Sequence, residues 1–145
     1  MNEKIEIVTL AAYPLTVIAA AALIIAAFAT THEREVDYNR LLRAVAQVES
    51  DDGATSANVY QLTQVWADDI SRIVGEEFTL EQLIEERYLA EDLIIRYWKY
   101  YGAQYEAREG VAPDYQVLAR IHNGGPRGYA KAATRPYWEK VKRYL

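Results

Sequence analysis

One decapeptide combines residue types and spacing suited to chemistry: Ala119-Arg120-Ile121-His122-Asn123-Gly124-Gly125-Pro126-Arg127-Gly128. An apolar helix end (Val117, Leu118, Ile121) runs into His-Asn and then into Gly-Gly-Pro. Adjacent glycines followed by proline cannot continue a helix, so the chain turns sharply there. Asn123 then stands where a helix opens into a loop, with an amide able to reach a polar ligand. The same residues also describe a plain helix C-terminus with Asn and Gly as the stop. A second stretch is Ala46-Gln47-Val48-Glu49-Ser50, just ahead of Asp51-Asp52-Gly53. Glu49 falls on the last turn of a helix whose other face is apolar. A carboxyl at the end of a packed helix can be partly desolvated, which raises its pKa and suits it to act as a general acid. Breaking a glycosidic bond needs such an acid to protonate the leaving oxygen. The alternative is a solvated glutamate at a helix end.

The elements that must position these residues are helical. Tyr38, Leu41, Leu42, Val45 and Val48 recur at three- and four-residue spacing and predict a helix over about residues 33–49. Ser50 to Gly53 is turn chemistry, and 51–58 is small and polar, hence a loop. A helix to about Val74 buries Val65, Trp66, Ile70 and Ile73, and Gly75 ends it. Thr79 with Gln82 has capping-box spacing and opens a long helix to about Tyr101, with Leu80, Leu83, Ile84, Leu89, Leu93, Ile94 and Trp98 inward, and Gly102 or the Gly110-Val111-Ala112-Pro113 stretch closes that region. Pro113 starts the helix that carries Ala119 to His122, and Thr134 caps a last one containing Tyr137, Trp138 and Val141. No strand pattern and no internal repeat emerges.

The chain has 145 residues, room for one domain of ordinary size beside a leading segment. It has no cysteine, which excludes disulfides and thiolate metal sites. Its two histidines, His32 and His122, lie far apart and make a poor metal set. No cofactor is expected. The net charge of −5 is unevenly placed: residues 33–119 carry −10 and residues 120–145 carry +6. The basic end can attract an anionic polymer, or compensate the acidic body within one fold. Basic residues alone are a weak signal for nucleic acid, which is not an expected partner. Twelve tyrosines and three tryptophans suit both a core and a sugar- or partner-binding surface. From Ile7 to Thr31 no residue is charged. Such a run is long enough to cross a bilayer as a helix, and a secretory leader ending near Ala27-Phe28-Ala29 is the competing reading. The expected architecture is therefore mainly α: an N-terminal transmembrane anchor over 1–32, contacting lipid through 7–31, and a small helical domain over 33–145. The localisation expected is a single-pass membrane protein.

Four blocks also carry a resemblance. Ala46-Gln47-Val48-Glu49-Ser50, Tyr60-Gln61-Leu62-Thr63, Ala119 to Pro126, and Thr134 with Tyr137-Trp138-Glu139-Lys140-Val141 come in the order of a lysozyme-like domain. The last two resemble invertebrate-type lysozymes and their bacterial and viral relatives. The first two are also similar to the Glu-Ser and Gly-Leu-Met-Gln blocks of soluble lytic transglycosylases. The resemblance covers residues 36–145. It implies a lysozyme-like fold with Glu49 as the catalytic acid. It places Tyr60 and Gln61 along a sugar groove, Asn123 as the groove asparagine and His122 beside it. The implied substrate is peptidoglycan, cut between N-acetylmuramic acid and N-acetylglucosamine. The chain departs from the pattern in having Asn58-Val59 before Tyr60, in a short segment between Glu49 and Tyr60, and in offering only Asp51 or Asp52 as a second carboxylate.

Two functions follow as expectations. One is a membrane-anchored peptidoglycan glycosidase, a muramidase or a lytic transglycosylase, whose domain is periplasmic or external. The other is a catalytically inactive lysozyme-like domain, a pseudoenzyme serving as a single-pass subunit of a virion or membrane complex with protein partners.

Overall fold

The structure is a computed structural model, and it describes residues 36–51 and 58–145. The heptad-like spacing at the start winds into α1, Tyr38–Asp51, which buries Leu41, Leu42, Ala44, Val45 and Val48 along one side. Asp37 starts it by accepting the Arg40 N–H at 3.0 Å. Helix α2, Gln64–Val74, is capped by the Thr63 hydroxyl, which accepts the Trp66 N–H, and is ended by Gly75 at φ +79°. The short α3, Leu80–Glu85, opens on Thr79, whose hydroxyl accepts the Gln82 N–H. Helix α4, Arg87–Glu109, is the longest of the described helices. Asp114 caps α5, Tyr115–Gly124, by accepting the Val117 N–H at 2.8 Å. Two 3-10 turns, Gly128–Ala130 and Ala132–Thr134, lead into α6, Arg135–Val141, and a last turn, Lys142–Tyr144. No strand occurs among the described residues.

Helix α4 passes through the middle of this arrangement, with α2, α3 and α5 packed on it, while α1 lies against α5 and α6. The core forms where these faces meet: Leu93, Ile94 and Trp98 of α4, Ile70 of α2, Leu118 and Ile121 of α5, and Val45 of α1. Each buried aliphatic side chain of this kind contributes about 1.5–3 kcal/mol.

Several expectations change in detail. The helix expected from Thr79 to Tyr101 is interrupted at Glu86, whose φ −100° and ψ 76° break the ladder, and its second part runs on to Glu109. Gly102 does not end it. A Cβ there would sit 3.0 Å from Pro113 Cγ, so the glycine serves the close approach of the α4–α5 connection. Val65 is 78% exposed, because the register of α2 turns its neighbours Trp66 and Ala67 inward instead. Thr134 makes no N-cap bond to α6; its hydroxyl is used between the turns.

The single-pass membrane assignment is corrected. Among the described residues no helix is long and apolar enough to cross a membrane. The stretch 7–31 that suggested an anchor, and the bilayer contact assigned to it, lie outside the described residues. Asp52, a candidate second carboxylate, lies outside them too, and the Asp51 side chain with it.

Candidate active site

Glu49 rides on the last full turn of α1, next to buried Val48, and is itself only 6% exposed. Its Oε1 accepts the Tyr137 hydroxyl of α6 at 2.7 Å. His122, on α5, brings Nε2 to 4.0 Å from the same oxygen. That is beyond hydrogen-bond range. The His122 ring is held edge-on to Trp98 at 5.8 Å and stacked on Tyr137 at 6.5 Å. Burial pushes its imidazole down to about 4, against an opposing pull from the Tyr60 backbone. The ring is therefore neutral near pH 7, so the Glu49–His122 contact is not an ion pair there. His122 Nδ1 is buried with no hydrogen-bond partner.

The second wall comes from the short segment before α2. Asn58 clamps Leu62 in both directions: its Oδ1 accepts the Leu62 N–H and its Nδ2 donates to the Leu62 carbonyl, each at 2.9 Å. The loop between them forces Gln61 into the left-handed region at φ +47°, which is rare for a residue with a side chain. The Gln61 amide then reaches back and donates to the Glu49 carbonyl at 3.3 Å. Tyr60 is buried, and its hydroxyl points away, donating to Glu91 at 2.7 Å with Arg87 over its ring. Desolvation and the Glu91 carboxylate push this phenol far above the usual tyrosine range.

The third wall is the C-terminus of α5. Asn123 and Gly124 belong to the last turn of the helix rather than to the loop, and Gly125, at φ +76°, makes the exit. A knot behind them holds the turn. Buried Arg120 donates to Thr134 Oγ1 at 2.9 Å and to the Lys131 carbonyl at 2.8 Å, while the Thr134 hydroxyl reaches the Gly128 carbonyl at 2.7 Å. Gly128 presses directly onto α5. A Cβ there would lie 1.8 Å from the Arg120 carbonyl oxygen.

Between these walls runs an open groove of about 740 Å³. That is within the range of ligand pockets. Glu49, Tyr60, Gln61, His122 and Asn123 all line it, joined by Thr63 at the α2 cap, by Trp66, Asp69 and Arg72 of α2 and by Tyr97 of α4. The groove passes from Glu49 to Asn123. Asp69 accepts from Arg72 and from the Tyr101 hydroxyl at 2.7 Å, so this far wall is a fixed polar network. Sequence reasoning missed Tyr137 as a partner of Glu49, and the Asp69–Arg72 wall altogether. Tyr137 lay inside a resembling block, but nothing in the sequence joins residues 88 positions apart. Among the described residues no group of three or more His, Asp or Glu is placed to hold a metal ion.

No family model matches the chain. Three curated proteins match part of it. "Lysozyme 1" of Crassostrea virginica is 45% identical over 42 residues, 29% of this chain and 23% of that protein. "Lysozyme" of Ostrea edulis is 38% identical over 48 residues, 33% of this chain and 35% of the relative. "Lysozyme" of Magallana gigas is 46% identical over 41 residues, 28% and 30% of the two chains. The match thus spans only about a quarter to a third of the length of each relative. Nothing in these names supports the inactive virion or membrane subunit. The partial homology to invertebrate lysozymes supports a lysozyme-like domain in this mainly α-helical chain.

Proposed function

We propose that the chain is a lysozyme-like glycosidase acting on peptidoglycan, as a muramidase or a lytic transglycosylase, with Glu49 as its general acid. The observation that carries this reading is a buried carboxyl on the wall of an open groove. Glycosidic cleavage begins when an acid protonates the leaving oxygen while the sugar takes on oxocarbenium character. Glu49 would give that proton. Tyr137, bonded to Oε1, is the positioning residue that fixes the carboxyl rotamer. Gln61, Asn123 and His122 would bind and orient the sugar, with the Tyr60 ring supporting the turn that aims Gln61. The partial matches to proteins named lysozyme support the reaction class.

The test is loss of turbidity of purified peptidoglycan with the full chain beside a Glu49→Gln variant. Clearing by the parent and none by the variant, both with the same helical circular dichroism, is the expected result. Clearing by both removes Glu49 from the role of acid. Clearing by neither, with both folded, ends the glycosidase reading.

A further inference from the structure

The end of the chain is rich in cations. From Arg120 to Trp138 the sequence holds four basic residues and no carboxylate. Arg120 is buried and uses its guanidinium on neutral oxygens inside the knot. Arg127, Lys131 and Arg135 are exposed. No ion pair among the described residues involves any of the three. Arg127 and Lys131 bracket the turn Gly128–Ala130. The Ala130 N–H donates to the Arg127 carbonyl and the Lys131 N–H to the Gly128 carbonyl, so the two cations stand about one turn apart.

This turn is pinned beside the groove. Lys131 Nζ donates to the Gly124 carbonyl at 2.6 Å, and Gly124, Gly125 and Pro126 form the groove's lip. Arg127 follows Pro126 of that lip in sequence, Lys131 is bonded to Gly124 of it, and Arg135 follows Thr134, whose methyl abuts Gly124; none of the three lines the groove. Inside, the charges are mostly acidic: Glu49, Asp68 and Asp69 against Arg72. Beyond the turn, Tyr129 contacts Arg108 and Glu109, an acid already next to its own cation. A polymer with a neutral backbone and anionic branches matches this layout. The backbone meets the groove, and the branches meet the uncompensated rim.

We propose that Arg127, Lys131 and Arg135 form a rim that binds the carboxylate-bearing side groups of the glycan held in the groove. The rim makes the protein prefer peptidoglycan with its peptide branches over the neutral N-acetylglucosamine polymer chitin. This rests on the glycosidase reading for what fills the groove. Guanidinium groups suit carboxylates geometrically. Each exposed pair adds little alone, but three act together and orient the partner. The remainder of the chain is acidic and repels such a polymer, so the rim also fixes where it lands.

The experiment is co-sedimentation of the full chain with insoluble peptidoglycan and with insoluble chitin, at about 0.02 M and about 0.3 M salt. The parent is compared with Arg127→Gln/Lys131→Gln/Arg135→Gln and with the charge-retaining Arg127→Lys/Lys131→Arg/Arg135→Lys. The glutamine variant should bind peptidoglycan about tenfold more weakly at low salt, and the charge-retaining one should recover most of that. Chitin binding should be equal in all three, and salt should weaken peptidoglycan binding of the parent and of the charge-retaining variant but not of the glutamine variant. Equal peptidoglycan binding by parent and glutamine variant overturns the rim. So does an equal loss on chitin, or no peptidoglycan binding by the parent. Sedimentation needs no turnover, so a rim that binds while no clearing occurs removes the glycosidase reading and leaves the rim standing.

Discussion

Acidification should destabilise this protein through His122. The imidazole, its side chain only 4% exposed at the groove wall, touches Trp98 and Tyr137 and titrates at about 4 in the fold against an ordinary 6.5. Between those two values the unfolded chain binds a proton that the folded chain refuses. Stability therefore rises with pH across that window, is whole above about 6.5, and is lost as pH falls towards 4. At 1.36 kcal/mol per pH unit, the interval from 6.5 to about 4 corresponds to about 3 kcal/mol. That is a large part of the stability of a domain this size, and amounts to roughly 10 °C in Tm. The perturbation that isolates it is His122→Phe, a ring of similar bulk that cannot titrate. Urea unfolding followed by tryptophan fluorescence, from pH 7.5 down to 4, gives both curves. Acidic side chains bend the two curves alike. Their difference should move by about 3 kcal/mol in favour of the variant on going from pH 7 to 4, with m values unchanged. Parallel curves would refute the reasoning. They would mean that the imidazole takes up its proton equally in the folded and the unfolded chain, whereas a difference moving in favour of the parent at low pH would mean that the histidine is charged in the fold and paired with Glu49 across the 4.0 Å between them.

Three further substitutions have definite outcomes. Tyr137→Phe removes the donor to a buried carboxyl and should cost about 1–3 kcal/mol in urea unfolding, with turnover of peptidoglycan falling more than substrate binding. Gln61→Gly relieves a left-handed residue, so it should leave stability unchanged or raise it by up to about 1 kcal/mol while weakening glycan binding; a clear loss of stability would show that the amide bond to the Glu49 carbonyl outweighs the strain. Gly128→Ala places a methyl 1.8 Å from the Arg120 carbonyl oxygen and must push the turn off α5, lowering Tm by well over 10 °C or preventing folding, whereas Val65→Ser on the exposed side of α2 should change stability by no more than about 0.5 kcal/mol.

What the sequence made legible is what short spacing encodes. The apolar positions of α1, the hydroxyl cap Thr79 and the stops at Gly75 and Gly110 act over three or four residues, and helices stand near where those signals put them. Capping at Thr63 also shows the limit. It sets where α2 starts, and the start sets that Trp66 rather than Val65 faces in, an outcome the mixed apolar run left open. The Glu86 break is likewise invisible to spacing, since Leu83 and Ala90 on either side are both buried as a continuous helix would have them. The groove is a long-range object. Its wall at Gln61 is bent by a clamp from Asn58, its lip is tied by Arg120 and Thr134 fourteen residues apart, and its carboxyl is held by a tyrosine from the far end of the chain. Asn123 and Glu49 were legible because glycines and a helix end flag them locally. Tyr137 was not, because in sequence it is one more aromatic on an amphipathic helix, and only the packing of α6 against α1 turns its hydroxyl into a partner for the one carboxyl that α1 buries among the described residues.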